Sequence, residues 1–258
     1  MPRQLAGLSR RRFLTAALAS LPLAISGSPV DPTARHLYIN TAFGPPLGGP
    51  DGLFARLMRL VFDGLGYSFT LQAPPAERAL MLANAGIDDG DGPRISGLTE
   101  EYPHLVRVPE PVLVLDFVAF TKRLRFSTET WASLAPFSVA IVTGWKILER
   151  NITHSAGLVR VKEPERLFML LKEGRTEVVV IDRFSGYATC RKVRLAEFNV
   201  LDPPLASAPM YLYLHERHAQ LIPAISSALR DLKAAGTYER VLQETLTDVH
   251  GYATVPHG

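Results

Sequence analysis

Cysteine is nearly absent from this sequence: Cys190 stands alone among 258 residues, so the chain cannot form an internal disulfide or a multi-cysteine zinc or iron–sulfur site. At the end of an apolar stretch, Cys190 reads as a small core residue rather than a nucleophile. Acidic residues are absent from the first 28 positions, which carry Arg3, Arg10, Arg11 and Arg12. Setting those four aside from the 28 basic residues leaves 24 against 25 acidic ones, so the formal charge of +3 belongs to the leader and the remainder carries about −1. That balance speaks against a nucleic-acid-binding surface. No G-x-S-x-G, Walker loop or G-x-G-x-x-G occurs, which removes the common signals of serine hydrolase, NTPase and dinucleotide chemistry. What is present is an ordinary globular composition, 47% hydrophobic and 21% charged.

The leader contains Ser9-Arg10-Arg11-Arg12-Phe13-Leu14, then an apolar stretch to Ile25, then Ser26, Gly27, Ser28 and Pro29. This resembles a twin-arginine export signal, in which Ser9, Arg10, Arg11, Phe13 and Leu14 carry the address read by the twin-arginine export machinery. Phe13 to Ile25 is too short for a comfortable membrane span, and small residues near 26–28 suit a signal peptidase. The reading is a signal peptide over 1–28 and a periplasmic, soluble, non-lipidated product, because no cysteine lies at the cleavage region. No stable membrane anchor is expected.

From residue 34 onward, short apolar runs alternate with helix-period segments, the pattern of an α/β protein with mainly parallel sheets. Strands are predicted at His36–Thr41, Tyr67–Leu71, Ser138–Val142, Leu158–Val161, Val178–Ile181 and Tyr211–Leu214. Helices are predicted after Asp51 as cap, with Leu53, Phe54, Leu57, Leu60 and Val61 on one face, and over Ala76–Ala85, Thr128–Ala135, Pro164–Lys172 and His218–Ala235, with a start at Trp145–Arg150. Asp88-Asp89-Gly90-Asp91-Gly92 reads as a turn, since it lacks the ligand spacing of a calcium loop. Val112–Thr121 reads as a doubly buried or lobe-crossing strand, and the tail 250–258 as disordered.

Several segments, taken in order, are similar to bacterial extracellular solute-binding proteins of family 3, the amino-acid-type periplasmic binding proteins. They are Glu77-Arg78-Ala79 leading to Gly86 and the Asp89-Gly90 pair, Ser138 to Gly144, Gly174 to Asp182, and Tyr211 to Leu221. The resemblance spans most of the chain after the leader. It implies the two-lobe periplasmic-binding-protein-like fold (type II), with a ligand cleft between lobes joined by two crossover strands. Lobe one is placed at 34–120 plus 208–249 and lobe two at 121–207.

Within that frame the candidate ligand-binding residues are Phe43, Arg94, Thr143, Gly144, Trp145 and Asp182. Thr143 and Gly144 precede a helix start, where backbone N–H groups can face an anion, and they match the family turn that contacts a ligand carboxylate. Asp182 ends a strand where a carboxylate can hold an ammonium; the local alternatives are pairing with Arg183 or capping a following helix. Arg94 can clamp an anion bidentately, although its spacing to Val108-Pro109-Glu110-Pro111 departs from the family pattern. Phe43, Trp145, Phe184 and Tyr213 lie near strand ends or turns; any one of them fits core packing or a cleft wall, and several converging would make a box for a quaternary ammonium or a stacking surface for an aromatic solute. His215 and His218 stand three apart, not at the spacing of a zinc helix, so no metal or cofactor is expected.

The expected function is a monomeric periplasmic receptor for a small polar organic solute, delivered to an ABC-type permease, with no catalytic role. The alternatives are a secreted dehydratase on the same scaffold, using Glu77, Asp182 or His215, and a sensory or orphan receptor without a permease.

Overall fold

A computed structural model describes residues 35–247. The expected signal peptide over 1–28, with Ser9 to Leu14, and the expected disordered tail 250–258 lie outside the described residues. The first half of the described chain runs β1 (His36–Asn40), α1 (Leu53–Gly64), β2 (Ser68–Gln72), α2 (Ala76–Asn84), β3 (Gly90–Arg94), β4 (Leu105–Arg107) and β5 (Leu113–Thr121). The second runs β6 (Ser138–Val142), α3 (Lys146–Asn151), β7 (Gly157–Val161), α4 (Pro164–Lys172), β8 (Val178–Asp182), α5 (Arg183–Lys192), β9 (Asn199–Val200) and β10 (Ala206–His215). Helices α6 (Ile222–Ala234) and α7 (Thr237–Leu246) close the chain.

The strands order as β2-β1-β3-β10-β5-β8-β6-β7, with β4 on β10 and β9 on β5. Strands β2, β1 and β3 are parallel, as are β7, β6 and β8. The antiparallel strands β10 and β5 lie between these groups. The first part of β10, Ala206–Met210, pairs with β5, and its last part, Tyr211–Leu214, pairs with β3. The chain ahead of β5 stays on β10 through bonds from Val108 N–H to Leu212 and from Val112 N–H to Met210. Two antiparallel segments therefore carry the chain between the groups; of the two readings of Val112–Thr121, the crossing one matches β5, which begins at Leu113.

Helix α1 buries Leu53, Phe54, Leu57, Met58, Val61 and Phe62, while Leu60 of the predicted face is exposed. Asp51 does not cap it. Gly52 precedes the first turn with no side-chain cap, and the N–H groups of Leu53 and Phe54 instead donate to Pro46 and Leu47. The predicted turn at 88–92 is also corrected: Gly90 to Arg94 form β3, wholly buried at the sheet centre. Turn-like composition is overridden here by tertiary pairing. A Cβ at Gly90 would lie 2.5 Å from the Tyr213 carbonyl oxygen, so glycine permits close approach of β10 rather than a reversal of the chain. The predicted terminal helix divides into a 3-10 turn at Glu216–Leu221, α6 opening with Pro223, and α7 beyond Gly236, whose φ is +67°.

Helix α5 has a weakly amphipathic sequence and packs closely because of Gly186. A Cβ there would lie 2.2 Å from the ring of Phe120, which also meets Phe168 edge-on. Although alanine is the better helix former, Gly186→Ala is expected to lower stability by about 1–3 kcal/mol, the cost of overpacking a filled core. Thermal unfolding checks this, and a raised Tm would refute it. Cys190 on the same helix is buried, and burial pushes its thiol pKa up to about 12, in keeping with a packing residue.

Candidate functional site

Segments distant in sequence meet where the two strand groups face each other. Phe43 comes from the loop after β1, Arg94 from the end of β3, Phe117 from β5, Trp145 and Lys146 from the start of α3, and Met210 from β10. Together with Ile95 and Leu98 they line a cavity of about 20 Å³, on the scale of one water molecule. An amino-acid-sized guest requires the two sides to move apart. Phe43 and Trp145 have ring centroids 4.9 Å apart, and Phe117 stands edge-on to Trp145 at 6.3 Å. The Trp145 indole N–H is buried without an acceptor among the described residues.

Arg94 is 5% exposed and engaged on all sides. Its Nε donates to Asp91 Oδ2 at 2.9 Å, Nη2 lies 2.8 Å from the same oxygen, and Nη2 also donates to the Ala76 carbonyl at 2.9 Å. Nη1 reaches the Gly144 carbonyl at 3.4 Å. Burial pushes the Asp91 carboxyl pKa up, and the Arg94 charge opposes that rise. The guanidinium therefore ties β3 to the start of α2 on one side and to the turn after β6 on the other.

Gly144 makes that turn with φ +82°. It sits against α2 so closely that a Cβ would lie 2.5 Å from the Glu77 nitrogen and 2.9 Å from the Ala76 Cβ. Its own N–H donates to Glu149 Oε1 at 2.8 Å, so the chain's carboxylate occupies the anion position predicted at this helix start. Thr143 is half-buried, and its N–H donates to the Val161 carbonyl.

An ionic seam lies along the rim. Lys146 Nζ is 2.9 Å from Glu77, 3.2 Å from Glu101 and 3.6 Å from Glu149, while Arg150 reaches Glu101 at 2.7 Å and the Gly97 carbonyl at 3.0 Å. Tyr102 donates to Glu77 at 2.6 Å. Burial raises the Glu77 pKa, but the bonds from Tyr102 and Lys146 outweigh it and hold the carboxyl below its usual range. Burial and the Glu77 bond push the Tyr102 phenol up to about 12. Of these partners, Glu77 lies in the family-like segment Glu77-Arg78-Ala79 and Lys146 follows Trp145, whereas Glu101, Tyr102, Glu149 and Arg150 show no sequence signal.

Asp182 is fully buried at the end of β8 and caps α5 by accepting from the Ser185 N–H at 2.9 Å. Its Oδ2 has no partner among the described residues. It pairs in register with Phe117, whose ring lines the cavity, but Asp182 is not itself among the lining residues. Arg183 turns away to Asp202 and Asp116. Of the other predicted walls, Phe184 is buried away from the cavity lining. Tyr213 packs with Leu80, Leu98 and Leu105 and donates to the Ile95 carbonyl.

Burial pushes the Asp182 pKa up to about 6 from its ordinary 3.8, against the lowering effect of the bonds from Ser185. The folded protein thus takes up this proton at higher pH than the unfolded chain does. The associated stability is complete below about pH 3.8 and is lost as pH rises through about 6. Asp182→Asn keeps an adequate cap and removes the buried charge, so it is expected to raise stability at pH 7 by up to about 3 kcal/mol. That gain should vanish near pH 4. Denaturant titrations at the two pH values test it, and a destabilised variant at pH 7 would reverse the assignment.

No protein-family model matches the chain. An uncharacterized protein of Shewanella oneidensis is 26% identical over 198 residues, covering 73% of this chain and 74% of its own. Among solved structures, the substrate binding protein of an amino acid ABC transporter superposes with a TM-score of 0.68 at 14% identity, over 83% of this chain and 100% of that one. A histidine kinase sensor domain with similarity to periplasmic binding proteins does so at 0.71 and 18% identity, over 83% and 97%. At such identities the likeness is one of fold. Its content is definite: the chain has the two-lobe architecture of periplasmic binding proteins, with its cavity between two groups of parallel strands bridged by β5 and β10.

Proposed function

We propose that this chain is a solute-binding receptor that opens and closes on a small polar organic molecule carrying a positive group, and that it presents the molecule to an ABC-type permease. The observation that carries the reading is the convergence of Phe43, Arg94 and Trp145, from three separate segments, on one cavity between the strand groups. Ligands of open α/β sheets are held at such strand ends. In this reading lobe one comprises 34–120 with 208–249 and lobe two 121–207. The leader with Arg10 and Arg11 directs export to the periplasm, and the receptor acts as a monomer. The free oxygen of Asp182 accepts the ligand's ammonium once the lobes part and re-close around it.

The fold likeness to a histidine kinase sensor domain favours a second reading, signal detection without transport. For the dehydratase alternative, each of the residues Glu77, Asp182 and His215 has other engagements or lies off the cavity lining. Glu77 is held by Tyr102 and Lys146, Asp182 caps a helix, and His215 sits at the far end of β10 from the cavity-lining Met210.

A thermal-shift screen of amino acids, polyamines, carboxylates and quaternary amines identifies the solute, since a ligand at about a hundred times its Kd adds about 2.7 kcal/mol. Calorimetry on Asp182→Asn should then show affinity for a cationic hit reduced by about 1.5–3 kcal/mol. Unchanged affinity removes Asp182 from the site, and a screen in which no solute binds removes the receptor reading.

A further inference from the structure

We infer that the cleft selects organic cations that lack a carboxylate, rather than zwitterionic amino acids. This rests on the receptor reading above and narrows it. The inference follows from how the chain treats each cation that faces the cavity and its rim. Arg94 is paired with Asp91, itself 0% exposed, and its remaining reach goes to the carbonyls of Ala76 and Gly144. Lys146 has three carboxylates within 3.6 Å, and Arg150 has Glu101. Among the described residues of this network, three cations face four carboxylates: Asp91, Glu77, Glu101 and Glu149.

A ligand carboxylate entering here meets only the Nη1 edge of Arg94, since Nε and Nη2 are held by Asp91 and the Ala76 carbonyl; a two-pronged clamp has to take Arg94 from Asp91 and leave that buried carboxylate without its cation. The exchange opposes binding, because removing one partner of a buried pair leaves an uncompensated charge. The backbone route is also occupied, since the Gly144 N–H already donates to Glu149. The features that remain suit a cation with an apolar body: an acidic surround, the converging rings of Phe43, Trp145 and Phe117, and an indole N–H that can meet a neutral hydroxyl or carbonyl oxygen.

The test uses matched probes differing in one carboxylate: 2-phenylethylamine against phenylalanine, tryptamine against tryptophan, and choline against glycine betaine. Calorimetry on the parent protein should show, in at least one pair, the member without a carboxylate binding about tenfold or more tightly. A carboxylate-bearing member binding as well or better in every pair that binds overturns the inference and leaves the receptor reading intact. So does binding of none of the six when another solute from the wider screen binds; if no solute binds at all, both fall. In Glu149→Ala, which frees the Gly144 N–H, the preference should shrink severalfold. An unchanged ratio there shows that Glu149 does not enforce it.

Discussion

Gly144→Ala is expected to weaken solute binding by one to two orders of magnitude while the protein stays folded. Two costs act together at that position. A left-handed backbone at φ +82° costs an L-residue with a Cβ about 1–2 kcal/mol, and the new methyl would lie 2.5 Å from the Glu77 nitrogen. The contact is with backbone at the start of α2, so no flexible side chain can give way. Relief comes from drawing the turn after β6 away from α2, which opens the cleft. Every 1.4 kcal/mol of closure lost this way is about a tenfold loss of affinity. Small-angle scattering should show a larger radius, and calorimetry a weaker complex, than in a Gly64→Ala control, where a Cβ meets nothing within 4 Å. Parent-like radius and affinity in Gly144→Ala would mean that this contact is no part of the working closed form.

Arg94→Met should be the most destabilising single change at the site. It leaves Asp91 in the sheet with no cation, and one Asp91 oxygen already lacks a partner among the described residues. Stranding a buried charge costs about 3–5 kcal/mol, or roughly 10 °C in Tm for a chain of this size. The loss should depend on pH. Burial already lifts the Asp91 pKa, and removing Arg94 lifts it further, so the folded variant takes up the proton more readily than the unfolded chain. The deficit is therefore full at neutral pH and narrows as pH falls. Combining Arg94→Met with Asp91→Asn removes both charges and should recover much of the loss. An Arg94→Met protein as stable as the parent at pH 7 would show that the pair does not hold the structure together.

Much of the fold is legible because its elements obey simple periods. Ser138–Val142 and Pro164–Lys172 are found with the bounds that their β-branched run and proline start indicate. Where local chemistry and tertiary demand diverge, the reading slips. The glycines and aspartates of β3 have the composition of a turn but serve close strand packing and the Arg94 pair. Helix α5 carries Ser185, Gly186 and Thr189, poor helix formers that hide it from a periodicity search. The site is legible in part. Phe43, Arg94 and Trp145 share a cavity, and Gly144 adjoins it. The seam of Lys146, Arg150, Glu77, Glu101 and Tyr102 has no local period, because it joins elements that only the fold brings together. The choice left open for Asp182 resolves on its first oxygen, which caps α5, while its second is unclaimed among the described residues.

The burial of Cys190 has a practical corollary. With its thiol enclosed and pushed up to about 12, Cys190 is expected to react only slowly with thiol-alkylating reagents at neutral pH. A single exposed cysteine substituted at Glu100, beside the rim residue Glu101, therefore becomes the faster-labelled thiol without any prior removal of the native one. If the rim parts and meets as the proposed receptor requires, a dye attached there would report it from an otherwise unaltered interior, and one substitution would turn the molecule into its own sensor.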